Sequence, residues 1–230
     1  MRVVSLVPSL TETLLEWGVE VVACTRYCEQ PWLAHVGGTK DPDVDAIVAL
    51  RPDVVVVDRE ENRREDADSL AARGVVVHAT HVVSLADVAP TLDELAALVG
   101  AAVPPSRPFG PRRDAWTSAF VPIWRRPWMT LGPGTYGASL LAHLGVRGVY
   151  DDASERYPVV DLADVALRSP QLVLLPSEPY AFSERHAVEL RGALPFATVE
   201  LVDGQDLLWW GARTPRALAR LSASLEARSA

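Results

Sequence analysis

One strand–turn–helix plan occurs twice in this chain, and that repetition limits the folds open to it. The first half reads Arg51-Pro52-Asp53, then Val54 to Val57, then Asp58-Arg59-Glu60-Glu61-Asn62. The second half reads Ser169-Pro170-Gln171, then Leu172 to Leu175, then Pro176-Ser177-Glu178-Pro179-Tyr180. Aligning Pro52 with Pro170 puts Glu60 on Glu178 without a gap. Short apolar runs alternating with helical periodicity indicate parallel sheets. Two such lobes bury their sheets separately, so a ligand cleft is expected between them, where strand ends and helix starts converge.

The flanking elements fit the same plan. Val3 to Val7 is a β-rich run, and Ser9 with Glu12 has the spacing of a helix N-cap and capping box, the helix stopping at Gly18. Strands are expected at Val19 to Cys24 and Val75 to His78, and helices at Asp45 to Leu50, Glu65 to Ala72 and Leu85 to Leu98. Four prolines between 104 and 111 exclude a regular helix there, leaving Arg112 to Ser118 as a short helical candidate. The resulting division is an N-terminal α/β lobe over 1–99, a proline-rich linker with a short helix over 100–118, and a C-terminal α/β lobe over 119–230. In the second lobe a strand is expected at Ala119 to Trp124. The turn Gly132-Pro133-Gly134-Thr135-Tyr136-Gly137 then leads to a helix over Ala138 to Leu144, ended by Gly145. That turn lacks both the dinucleotide fingerprint and the lysine of a P-loop.

Charge and composition exclude several functions. The net charge is -8 and Lys40 is the only lysine, which argues against general binding to phosphate backbones. No run approaches the roughly 18 apolar residues of a membrane span, and the N-terminal apolar run is too short for a secretory leader. As written the chain reads as cytoplasmic, or as extracytoplasmic or membrane-anchored if a leader has been trimmed. Cys24 and Cys28 read as ordinary thiols; with His35 they offer only part of a zinc site. His78, His81 and His186 raise the alternative of a metal-dependent enzyme. Against it, no nucleophile elbow, zincin motif or paired CxxC is present, and strand alternation sets His78 and His81 on opposite faces.

Aromatic residues gather at expected strand ends and loops: Tyr27, Trp32, Trp124, Trp128, Tyr157, Tyr180, Phe182, Trp209 and Trp210. Rigid rings in loops line ligand surfaces at low entropic cost, and as a group they favour a flat or macrocyclic apolar ligand.

Several segments, in order, resemble the substrate-binding proteins of ABC importers for vitamin B12, iron-siderophores and haem, the helical-backbone metal receptors. They are Arg2 to Glu12, Val36-Gly37-Gly38-Thr39-Lys40 with Asp43, and Ile47 to Val55 in the first half. The second half adds Glu155-Arg156-Tyr157-Pro158, Arg168-Ser169-Pro170-Gln171 and Trp209-Trp210-Gly211-Ala212-Arg213-Thr214-Pro215-Arg216. The vitamin B12-binding branch is the best match, and the resemblance covers nearly the whole chain. It implies two Rossmann-like lobes joined by a helix, here shortened, and a metal chelate, most plausibly cobalamin or another corrinoid, bound without turnover.

On this chain the implied ligand contacts are Tyr27, Trp32, Glu60, Glu61, Asn62, Trp124, Trp128, Tyr157, Glu178, Tyr180, Trp209 and Trp210. The resemblance also implies a monomer with no covalent cofactor and an ABC permease as partner. The permease would be met by one acidic residue per lobe, Glu65 or Asp66 on the first and Glu184 or Glu189 on the second. A cytoplasmic carrier or sensor of the same ligand class is the alternative.

Overall fold

The computed structural model describes residues 1–105, 109–110 and 116–226. Two compact units emerge. The first runs from Met1 to Val82, takes in most of the helix that follows, and regains Trp210–Ala212; the second holds the described residues from Phe109 to Trp209 and from Arg213 onward.

The first unit is a five-stranded parallel sheet in the order β3-β2-β1-β4-β5, built from β1 (Arg2–Ser5), β2 (Glu20–Cys24), β3 (Ala34–His35), β4 (Val54–Asp58) and β5 (Val77–Thr80). Helices α1 (Pro8–Glu16), α2 (Val44–Ala49), α3 (Arg64–Ala72) and α4 (Leu85–Val99) connect or follow the strands. All five residues of β4 are buried, as befits a central parallel strand covered on both faces. Val55 and Val57 pack with Val4, Leu6, Ala23, Ile47 and Leu70. Each such valine, leucine or isoleucine side chain contributes about 1.5–3 kcal/mol by leaving water.

The second unit repeats the order with new strands. Its four-stranded parallel sheet runs β12-β11-β6-β9, from β6 (Thr117–Phe120), β9 (Val146–Gly148), β11 (Leu172–Pro176) and β12 (Thr198–Val202). With the edge strand β3 left aside and the strands counted within each unit, both sheets contain the order second, first, third, fourth, with a topological switch point between β1 and β4 in the first and between β6 and β11 in the second. Helices α5 (Tyr136–His143), α6 (Leu162–Arg168), α7 (Glu184–Ala193), α8 (Gly204–Leu208) and α9 (Thr214–Glu226) complete the unit. A core of Phe120, Val173, Leu175, Ala187, Leu190 and Leu194 lies between sheet and helices.

The repeat extends to backbone detail. Arg51 and Ser169, each just before the aligned proline, take positive φ of 48° and 47°. Asp53 N donates to Arg2 O at 2.8 Å, and its counterpart Gln171 N donates to Ser118 O at 3.0 Å. Arg59 N bonds Thr80 O at 3.0 Å, and Ser177 N bonds Val202 O at 3.1 Å. Gly18 and Gly145, at φ of 72° and 80°, stop α1 and α5 as expected.

Three expectations are corrected. Ser9 does not cap α1: the helix opens with Pro8 at its first turn after the extended Val7, and the Thr11 hydroxyl donates back to Val7 O at 3.0 Å. The strand expected over Ala119 to Trp124 breaks at Val121, where the chain leaves the parallel sheet. It forms instead a small antiparallel sheet, β10-β8-β7, from β7 (Pro122–Trp124), β8 (Trp128–Thr130) and β10 (Val159–Val160). The short helix expected over Arg112 to Ser118 lies partly outside the described residues, and Thr117 and Ser118 are strand. Among the described residues, no helix is long and apolar enough to cross a membrane.

Candidate functional site

In an open α/β sheet, ligands meet the loops beyond the carboxyl ends of the strands beside the switch point. In the first unit that position is the turn after β4. Asp58 is buried at 2 %, its carboxylate accepting Glu60 N and the Thr80 hydroxyl, both at 2.8 Å. Burial raises its pKa against the pull of those hydrogen bonds. Asn62 is buried as well. Its Oδ1 accepts Asp58 N at 2.8 Å, and its Nδ2 donates to Leu6 O at 3.1 Å and Thr39 O at 3.0 Å. The Lys40 ammonium donates to Glu60 O at 2.5 Å. The turn is therefore a polar lock joining three segments. The lock occupies the Asn62 amide within the protein, whereas Glu60 is half-buried and Glu61 exposed.

The loop after β2 presents Tyr27 and Trp32, 55 % and 73 % exposed. Arg26 lies over the Tyr27 ring, 4.9 Å from its centroid, and is itself held by Asp41 at 2.9 Å. Cys28 in the same loop is buried, within 3.3 Å of the Thr11 hydroxyl and 3.4 Å of the Thr25 hydroxyl. Hydrogen bonding to Cys24, opposed by burial and supported by these hydroxyls, lowers the Cys28 thiol pKa.

In the second unit the equivalent turn follows β11 and carries Glu178, half-buried, and Tyr180. The Tyr180 ring sits 4.7 Å from Phe182, 5.5 Å from Trp124 and 5.4 Å from His186. Phe182 stacks on Trp128 at 6.0 Å with planes 2° apart, and Trp128 meets Phe120 edge-on. Trp128 is thus partly a core residue, while Trp124 stays 44 % exposed at the tip of β7. The antiparallel sheet that sequence reasoning missed holds both tryptophans. Its signal was present: Pro122 and Pro127 bracket a tight turn through Arg125-Arg126, a pattern that ends a parallel strand.

Phe182 lay among the loop aromatics without being singled out, yet it is the buried keystone of the cluster. His186 joins it through an unusual cap. Ser183 at the N-cap of α7 donates its backbone N–H to His186 Nδ1 at 3.0 Å, so histidine fills the place of the usual acidic or amide residue. Burial lowers the His186 pKa, with Arg185 and Arg125 adding repulsion.

The remaining candidates divide between surface and scaffold. Tyr157 is half-buried with Arg156 over its ring at 5.8 Å, on a loop pinned by Gly132 N to Arg156 O at 2.8 Å. The Gly132-Pro133-Gly134 turn is held from within: Gly134 O accepts Arg156 Nε at 2.7 Å, and Thr135 caps α5. Trp209 is half-buried with Arg213 over its ring at 5.2 Å. Trp210 is only 6 % exposed and belongs to the first unit, where it is part of the interior.

Of the acidic residues weighed for docking, Glu65 is exposed on the first turn of α3, while Asp66 pairs with Arg63 at 3.0 Å. Glu184 pairs with Arg191, and Glu189 takes both oxygens to Arg125 at 2.8–2.9 Å. His78 lies half-buried in β5, and His81 and His35 are exposed. Among the described residues, no group of three or more His, Cys, Asp or Glu side chains is placed to hold a metal ion.

Residues 3–102 match the family described as "Periplasmic binding protein". A vitamin B12-binding protein of Yersinia pestis is 26% identical over 192 residues, spanning 76% of this chain and 69% of that protein. Two solved structures share the fold over nearly the full length. The periplasmic vitamin B12-binding protein BtuF of Vibrio cholerae aligns with a TM-score of 0.77 at 19% identity, covering 98% of this chain and 96% of that one. A periplasmic heme-binding protein of Pseudomonas aeruginosa aligns at 0.78 and 19% identity, covering 97% and 91%.

The resemblance to importer substrate-binding proteins and the expected α/β lobes on parallel sheets are therefore borne out. These relatives are binding proteins rather than enzymes, so the catalytic alternative on His78 and His81 gains no support. A periplasmic family likewise gives no support to the cytoplasmic reading.

Proposed function

We propose that this protein is an extracytoplasmic solute-binding protein that presents a planar metal chelate, a corrinoid foremost, to an ABC-type permease without altering it chemically. The observation that carries the proposal is the aromatic platform of the second unit, where the exposed Trp124 meets Tyr180 edge-on and Tyr180 rests on Phe182, which stacks on Trp128. Rings fixed by packing beneath them meet a macrocycle with little left to order, which keeps the cost of binding low. The names of the relatives, which bind vitamin B12 or heme, favour the same ligand class.

In this reading Tyr27, Trp32, Tyr157 and Trp209 supply further ring contacts. Glu60, Glu61 and Glu178 accept hydrogen bonds from peripheral amides or hydroxyls. Trp128 supports the platform from below. Glu65 and Glu184 are the acidic residues offered to the permease, Glu184 after release from Arg191.

The test is a tryptophan-fluorescence titration against cobalamin, cobinamide, haem, a ferric siderophore and free zinc, corrected for ligand absorbance. Saturable quenching by a macrocyclic chelate, weakened in Trp124→Ala, is the expected result. A response to zinc with silence toward every chelate would overturn the proposal.

A further inference from the structure

Beside the aromatic platform the second unit holds a cavity of about 340 Å³ walled by Arg125, Arg126, Tyr180, Arg185, His186 and Glu189. Its charge is unusual for a chain with a net charge of -8 and one lysine. Glu189 is the only acid in the wall, and it is committed to Arg125 through two contacts of 2.8–2.9 Å. Arg126 makes no ion pair among the described residues, and Arg185 reaches only the His186 ring, Nε to Nε2 at 3.2 Å. With His186 uncharged near neutral pH, the wall carries a formal excess of two positive charges.

Two guanidiniums without carboxylate partners repel metal cations and have nothing to offer an apolar group. Their planar donor forks match the oxygens of a carboxylate or phosphate. Tyr180 belongs both to this wall and to the aromatic platform, so a ring lying on Trp124 and Tyr180 has its edge at the mouth of the pocket. Arg126 is held there by a turn in which its own φ is 71°, a conformation that side-chain-bearing residues adopt rarely and at some cost.

We propose that this pocket takes an oxyanion carried on the rim of the bound chelate, either a carboxylate or a phosphate diester. The inference rests on the chelate-binding reading and adds the ligand's charge to it. Arg126 and Arg185 are the recognising groups. Arg125, held by Glu189 and lying 5.6 Å from the centre of the Trp128 ring, fixes the wall between pocket and platform.

The test compares chelates that differ in the anion: cobalamin with cobinamide, which lacks the phosphate diester, and haem with its dimethyl ester. Affinities are measured by fluorescence quenching for the wild type and for the exposed-site double variant Arg126→Gln/Arg185→Gln, with circular dichroism to establish that the variant is folded. The expected result is at least tenfold tighter binding of the oxyanion-bearing member of one pair, a preference that the double variant abolishes while leaving the affinity of the counterpart without the oxyanion unchanged. The pair that shows the effect identifies the oxyanion as phosphate or carboxylate.

Chelate binding with no such preference, or with a preference that survives in the variant, would overturn the oxyanion assignment and leave the chelate reading standing. Failure of all four ligands to bind would overturn both.

Discussion

The turn after β4 and the turn after β11 occupy the same place in two copies of one topology, yet they are built from opposite materials. In the first, Asp58, Asn62, Thr80 and Lys40 form a hydrogen-bonded lock. In the second, Tyr180, Phe182, Trp124 and Trp128 form a stack of rings. The backbone around both is alike, down to the left-handed residue before the proline. The difference arises from the antiparallel β7-β8-β10 insertion, which brings two tryptophans to the second turn and has no counterpart among the described residues of the first unit. A duplicated scaffold thus fixes where a functional loop stands, while insertions decide what chemistry it presents.

The sharpest way to break this comparison is Phe182→Ala. Removing the buried ring beneath Tyr180 is expected to cost about 3–5 kcal/mol in urea unfolding. A loss below about 1 kcal/mol would mean that the platform is not a packed unit. Next comes Asn62→Ala, which strands two carbonyls and one amide. Equilibrium unfolding should register a loss of about 2–3 kcal/mol, with chelate affinity unchanged in the folded fraction. A variant of full stability that binds poorly would place Asn62 on the ligand surface instead.

Trp124→Ala should move stability by no more than about 1.5 kcal/mol. Chelate affinity, followed by quenching of the remaining tryptophans, should fall by about tenfold. An unaltered affinity would remove the platform's exposed edge from the site.

The smallest effect is also the most discriminating in sign. Asp58 has its pKa raised by burial, so the folded chain keeps a proton that the unfolded chain has lost. Its contribution to stability therefore falls as pH rises above the ordinary value of 3.8 toward the higher folded value. Asp164, bonded to the Tyr150 hydroxyl at 2.7 Å and to Arg168 at 3.1 Å, has its pKa lowered first by Tyr150 and then by Arg168. Its contribution is fully present above 3.8 and is lost as pH falls through the lower folded value. Stability measured across the acid range and referred to Asp58→Asn and to Asp164→Asn should therefore slope in opposite directions.

Much of the scaffold was legible because it rests on local rules. The apolar runs of β4 and β11, the glycine stops at Gly18 and Gly145, and the paired proline boundaries all follow from spacing and backbone chemistry. The fate of individual side chains depended on partners far along the chain. Asn62 bonds Leu6, 56 residues away, and Arg125 bonds Glu189, 64 residues away, and no periodicity announces either pairing. The Ser9 cap failed for a local reason, since Pro8 supplies its own helix-starting φ one residue earlier. Which of Trp124, Trp128, Tyr180 and Phe182 form the floor and which the surface is decided by the insertion, which the spacing of the aromatics alone does not announce.

Gly211, at φ of 146°, lies so close to helix α1 that a Cβ there would fall 2.2 Å from the Thr13 hydroxyl oxygen. Beside it Ala212 N donates to that same oxygen at 3.1 Å, across 199 residues of sequence. On a translating ribosome, then, the first unit waits for Trp210 and its neighbours, made after every strand of the second unit, before its interior is filled. Its native form is completed well after all five of its strands have been made.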